Sequence, residues 1–197
     1  MPARKRSTPK AALLLTPGAG AGRDQSSLVA IEEALAPEGI VVERMDFPYR
    51  KAGRRSPDRP PVLVAAVREG AAELAERCGL APEQVFLGGR SMGGRMCSMA
   101  VAEGLPAAGL VLISYPLHPP GKPEQLRTAH FPALDVPCLF VSGTRDAFAT
   151  PEELTAATAA IGGGITHLWL EGGDHGLRNR DDALADAVRS WFRVIAP

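Results

Sequence analysis

Short apolar runs alternate along the chain with longer segments whose apolar residues recur at helical spacing. The runs are Ala11–Leu15, Ile40–Met45, Val85–Leu87, Leu110–Ser114, Cys138–Ser142 and His167–Leu170. Each is too short for an amphipathic helix, and several are continuous, as strands covered on both faces should be. Leu28, Ile31 and Leu35 repeat at helical spacing. So do Leu63, Val67, Ala71, Leu74 and Cys78, with Pro60 and Pro61 at the start and Gly79 at the end. Thr150-Pro151-Glu152-Glu153 reads as a capping box with proline at the first helical position, and Gly162 to Gly164 are expected to close that helix. A last helix is expected from about Asp182 to Ile195, with Leu184, Val188, Trp191 and Ile195 on one face. Strand followed by helix throughout predicts an α/β fold, a mostly parallel sheet of about six strands with helices on both faces.

At 197 residues the chain suits one domain, expected over residues 11–197 behind a loose basic tail at residues 1–10. Hydrophobic residues make up 45% and charged residues 22%, which fits a globular protein with a real core. Lys plus Arg and Asp plus Glu both count 22, so electrostatics gives no reason to expect a nucleic-acid or membrane-surface partner. Cys78, Cys97 and Cys138 are an odd number without metal-ligand spacing, which suits reduced thiols in a cytoplasmic protein. The apolar run behind the tail is too short for a signal-peptide core or a membrane span. Arg50 to Pro61 holds five basic residues and three prolines among twelve. It is expected to form an exposed loop, with a rim that attracts anions as the functional alternative.

In open parallel sheets, ligands sit at the carboxyl ends of the strands. Read at those ends, the chain offers a serine, an aspartate and a histidine, in that order. Gly89-Arg90-Ser91-Met92-Gly93 fits the G-x-S-x-G turn, in which glycines flank a nucleophile on a sharp strand-to-helix corner. It follows the Val85–Leu87 run and precedes a helical stretch, the context the motif requires. His175, in a glycine-rich loop after the last strand, is the candidate base. Asp146 follows the preceding strand and can orient the imidazole. Asp174 is the lesser candidate, because it adjoins His175 in sequence. His167 falls within a strand and reads as a core or sheet-face residue. The Thr16–Gly20 loop could cradle phosphates, but G-x-G-x-x-G from Gly18 would need glycine where Arg23 stands. As a donor loop it would pair a backbone N–H with that of Met92 to hold an oxyanion. Tyr49, Tyr115 and His118 leave strands near the serine corner and are expected to line the substrate pocket.

With these segments the chain resembles the alpha/beta-hydrolase superfamily, in a small branch without a cap domain. Within it the chain is similar to testis-expressed and histone-acetyltransferase-complex subunit proteins, near dienelactone hydrolases. The carrying segments are Leu14–Gly20, Phe47–Arg50, Gly88–Arg95, Ser114–Lys122, Ser142–Asp146 and Gly173–Gly176. The resemblance implies a three-layer fold with strand order 2-1-3-4-5-6. It also implies Ser91 as nucleophile, Asp146 as acid and His175 as base. Pro17 stands where relatives commonly carry histidine, leaving Ala19 or Gly20 to supply the second oxyanion donor; the pair assigned is Met92 and Ala19.

The leading expectation is a serine hydrolase cleaving a carboxylic ester or thioester of a small or medium acyl substrate. It would need no cofactor and no metal, and its partner would be the small-molecule substrate alone. The alternatives are a catalytically idle hydrolase fold serving as an interaction subunit and, disfavoured by Arg23, a nucleotide-binding domain.

Overall fold

The structure, a computed structural model, describes residues 9–196. Residues 1–8 of the expected basic tail lie outside the described residues, as does Pro197. Six strands form one parallel sheet: β1 Ala11–Thr16, β2 Ile40–Arg44, β3 Val85–Arg90, β4 Gly109–Ile113, β5 Cys138–Gly143 and β6 Ile165–Leu170. Their spatial order is β2-β1-β3-β4-β5-β6. The helices are α1 Ser26–Leu35, α2 Pro48–Lys51, α3 Pro60–Cys78, α4 Met92–Ala102, α5 Pro151–Thr158 and α6 Asp181–Ile195.

The sheet is covered on both faces, so the inner strands β1, β3, β4 and β5 are buried along nearly their whole length, while the edge strands β2 and β6 carry polar, part-exposed residues. Ala12 and Leu14 of β1 pack with Leu87, Leu110 and Leu112 into the core beneath α3, α4 and α5. Leu13 and Leu15 turn the other way, into a second core with Val111, Ile113, Leu139 and Val141 beneath α1 and α6. Each such buried leucine contributes about 1.5–3 kcal/mol relative to an exposed one. The result is the three-layer arrangement that the strand and helix pattern predicts, and among the described residues it carries no cap domain, as the resemblance implies.

Helix ends follow local chemistry. Gly79, at φ 65°, ends α3 with its N–H bonded to the Ala75 and Glu76 carbonyls. Thr150 Oγ1 accepts from Glu153 N and the Glu153 carboxylate accepts from Thr150 N, the reciprocal cap expected of α5.

Two boundaries differ from the pattern. Helix α5 stops at Thr158, well short of Gly162, because the chain turns to bury Ile161 and to bond Gly162 N to Leu134 O at 2.9 Å. The glycines there serve a close approach instead: a Cβ on Gly163 would lie 2.7 Å from Val136 N. The Arg50–Pro61 stretch is not one loop either. Pro48 to Lys51 form a short helix and Pro60 opens α3, leaving residues 52–59 as the exposed connection. Prolines with preset φ at the first helical turns account for both starts.

Candidate active site

Strand order reverses between β1 and β3, which opens a crevice at their carboxyl ends. Ser91 sits there, between β3 and α4, at φ 49° and ψ −116°. A non-glycine residue holds that conformation only where its surroundings enforce it. Ser91 N donates to Ile113 O of β4 at 2.8 Å, and Arg95 N closes the first helical turn on Ser91 O. The glycines around it are required by contact. A Cβ on Gly93 would lie 2.6 Å from Pro17 O, and one on Gly94 would lie 2.6 Å from Gly89 O. The half-buried serine therefore faces the cleft at the N-terminus of α4, where the helix dipole and free N–H groups favour negative charge.

His175 Nε2 lies 2.9 Å from Ser91 Oγ. Its Nδ1 lies 2.8 Å and 3.0 Å from the two oxygens of Asp146. The Asp146 side chain is fully buried and its Oδ1 also accepts from Phe148 N at 2.8 Å. Asp174 is exposed on the surface of the same loop as His175 and takes no part in this chain. The Phe148 ring stacks on the imidazole at a centroid distance of 4.0 Å. Backbone packing brings the two loops together: Arg145 N bonds Gly173 O at 2.9 Å, and Gly172 N bonds Thr144 Oγ1 at 2.8 Å. From below, Arg90 Nη2 donates to the carbonyls of His175 at 2.8 Å and Gly176 at 2.6 Å. Such a hydrogen-bonded series can move a proton from hydroxyl to imidazole while the carboxylate holds the ring's tautomer.

Opposite the serine, the loop after β1 has its N–H groups partly committed. Gly18 N donates to Gln25 Oε1 at 3.1 Å and Gly20 N donates to Tyr49 Oη at 3.0 Å. Among the described residues, the N–H groups of Ala19 and Met92 have no partner, and both residues line the cleft. Between Ala19 and Gly20, the bond to Tyr49 leaves only Ala19 free to donate.

The cleft has a volume of about 480 Å³ and is walled by Gln25, Pro116, Phe148, Arg90, Arg95 and Arg127 around Ser91 and His175. Tyr49, Tyr115 and His118 are not among its lining, which corrects the expectation from their place at strand ends. All three are buried. Tyr49 turns its hydroxyl to the Gly20 N–H, and Tyr115 donates to Arg127 O at 2.9 Å. Burial pushes the Tyr115 phenol well above its ordinary value. His118 lies between Pro119 O at 2.8 Å and Glu153 at 3.2 Å, and the Pro119 carbonyl raises its pKa. Aromatic residues at these strand ends complete the core, and the cleft wall falls to residues one turn or one loop further on. The sequence carries no local signal for Gln25, Arg127 or Phe148; the i+4 offset of Arg95 from Ser91 on a helix was the one available clue. His167 sits on the sheet face as expected, bonded to Thr158 Oγ1 at 2.9 Å and stacked between Phe140 and Trp169. Cys97 lies beneath the site, but burial pushes its thiol up to about 12, so it offers no nucleophile.

A family model for an alpha/beta hydrolase domain matches residues 9–195. The chain belongs to the alpha/beta hydrolase family. Solved structures agree on the fold of this hydrolase-family chain. Est1E from Butyrivibrio proteoclasticus is similar with a TM-score of 0.78 at 14% identity, covering 95% of this chain and 89% of that one. A dienelactone hydrolase from Anabaena variabilis gives 0.75 at 17%, covering 96% and 88%. A monoacylglycerol lipase from Paleococcus ferrophilus gives 0.75 at 16%, covering 96% of each chain. Among the described residues, no helix of this alpha/beta hydrolase is long and apolar enough to cross a membrane, and no three His, Cys, Asp or Glu side chains form a group that could hold a metal ion.

Proposed function

We propose that this alpha/beta hydrolase is a serine hydrolase that cleaves a carboxylic ester or thioester of a small or medium acyl substrate. The observation that carries the reading is the continuous hydrogen-bonded series from Ser91 Oγ through both nitrogens of His175 to the buried Asp146. In the reaction, Ser91 Oγ attacks the substrate carbonyl carbon as His175 Nε2 takes the hydroxyl proton. The carbonyl oxygen becomes an oxyanion held by the N–H groups of Met92 and Ala19. Collapse breaks the bond to the leaving oxygen or sulfur, which receives the proton from His175. Water then repeats the sequence on the acyl-enzyme, releasing the acid and restoring Ser91. The 480 Å³ cleft suits a compact acyl group. The names of two similar structures, a dienelactone hydrolase and a monoacylglycerol lipase, agree with this bond type.

A fluorophosphonate tests the reading, because it needs an exposed serine, a base and donors for the phosphoryl oxygen at once. Stoichiometric labelling on the Ser91 peptide is expected by mass spectrometry, with none in Ser91→Ala. Folded wild-type protein that stays unlabelled would overturn the hydrolase mechanism.

A further inference from the structure

The cleft beside Ser91 is lined by three arginines and by no acidic side chain. The three differ in how their charge is met. Arg90 spends its guanidinium on the His175 and Gly176 carbonyls and feels the nearby charges of Asp181, Asp174 and Asp146. Arg95 and Arg127 have no such compensation. Among the described residues, neither forms an ion pair, and the Arg95 guanidinium makes no hydrogen bond. Its Nε is buried without a partner. Arg127 makes a single weak contact, from Nη1 to Pro116 O at 3.4 Å.

The two guanidiniums line the same cleft despite their like charge. Burial and the Arg95 charge together push the Arg127 guanidinium below its ordinary value, and the same two causes hold His130 down to about 4. A neutral His130, fixed by Ser98 Oγ at 2.8 Å, adds no third cation but brings no anion either. The placement of Arg127 is built rather than incidental. Its backbone is pinned on both sides, by Arg127 N to Leu117 O at 2.8 Å and by Tyr115 Oη to Arg127 O at 2.9 Å. Two half-buried cations without counter-charge, Arg95 one helical turn from the nucleophile and Arg127 on a loop that lines the same cleft, are stable only at a cost that an anionic ligand would remove.

We infer that the substrate is anionic, carrying a carboxylate or phosphate that Arg95 and Arg127 bind while its ester or thioester carbonyl faces Ser91. This assignment rests on the serine-hydrolase reading and names the substrate class of that site. Guanidinium is suited to the task, since its planar fork meets carboxylate and phosphate oxygens two at a time. The exposed connection carrying Arg54, Arg55 and Arg59, with Arg54 paired to Asp58, packs near the mouth, where the Arg55 carbonyl lies near Gly20. It adds positive potential along the approach.

Two pairs of substrates separate the sources of negative charge. Mono-4-nitrophenyl glutarate differs from 4-nitrophenyl butyrate by one acyl-end carboxylate. Butyryl coenzyme A differs from S-butyryl-N-acetylcysteamine by a leaving group that carries phosphates. In at least one pair the anionic member is expected to have a kcat/KM higher by about tenfold or more, chiefly through KM, after subtraction of spontaneous hydrolysis. The favoured pair identifies which end of the substrate bears the charge. That preference should shrink as salt rises, because half-exposed charges are screened. Arg95→Gln and Arg127→Gln should each reduce the ratio of anionic to neutral kcat/KM by about tenfold, and Arg95→Lys should restore part of it. Melting curves identify any variant that fails to fold, and Arg127, on a loop, supplies the second position. Equal kcat/KM within both pairs overturns the anionic assignment while leaving the hydrolase reading standing. A preference that survives in both glutamine variants overturns the assignment to these two residues. No turnover of any of the four, together with no fluorophosphonate labelling of Ser91, overturns the hydrolase reading and this assignment with it.

Discussion

Replacing Arg90 by methionine removes the side chain that bonds the His175 and Gly176 carbonyls from below. Two bonds are lost, from Nη2 to His175 O at 2.8 Å and to Gly176 O at 2.6 Å. Hydrogen bonds from a charged donor contribute about 1.5–3 kcal/mol each, so the gross loss is about 3–6 kcal/mol. Part of it is recovered, because burial disfavours the Arg90 charge and its Nε is buried without a partner. Methionine fills much of the same volume without that penalty. The net destabilisation is then about 1–3 kcal/mol, a fall in Tm of about 3–10 °C for a domain of this size. The effect on turnover should be larger in proportion. His175 keeps its bond to Asp146 and its stacking on Phe148, yet its backbone is free to drift from Ser91. A displacement of about 1 Å in a reacting group costs about a hundredfold. Hydrolysis of 4-nitrophenyl butyrate should therefore show kcat reduced by about that factor with KM little changed, and Arg90→Lys should rescue part of it. Thermal melts on the same preparations give the stability change. Wild-type kcat in a variant with lowered Tm would refute the positioning role and leave Arg90 a purely structural anchor.

Asp146→Asn should keep the fold and lower kcat by about 10⁴-fold, since the amide would hold the wrong imidazole tautomer; near-wild-type turnover in steady-state assays would move the acid role elsewhere. Gly143→Ala should destabilise by about 3 kcal/mol in urea titrations, because a Cβ there would run into the Gly173 carbonyl and lie 2.9 Å from Gly173 Cα. An unchanged midpoint would show that the Asp146 and His175 loops can part at little cost. His130, held at about 4 by burial and Arg95, sits below its unfolded value of about 6.5. The unfolded chain thus binds the extra proton between those values, so this stability is full above about pH 6.5 and is lost as pH falls toward 4. Discounted for partial exposure, the contribution is about 1–2 kcal/mol. The wild type should lose that much more stability than His130→Gln between neutral pH and pH 4.5, and parallel losses would rule the histidine out.

Much of this protein is written in local pattern. Each apolar run became a strand, and the right-handed crossover rule acting on strand–helix alternation leads directly to a parallel sheet. The Ser91 corner is equally local: the close contacts of a tight strand-to-helix turn leave their mark in the glycines on either side of the serine. Asp146 and His175 could be placed because both follow strands, and parallel strands deliver their carboxyl ends to one edge. What lay beyond reach depends on where loops fold back. Tyr49, Tyr115 and His118 begin at the right strand ends but turn inward, since a buried aromatic gains more from the core than from a cleft wall. Helix α5 ends early because Ile161 must reach the core and Gly162 must bond Leu134, contacts far apart in sequence. That Gly20 N is engaged while Ala19 N is free depends on the hydroxyl of Tyr49, and the seat of Arg127 in the cleft depends on the Tyr115 hydroxyl bonded to its carbonyl. Periodicity reports the neighbours a residue has along the chain; a cleft is made by neighbours across it, and only packing in three dimensions selects those.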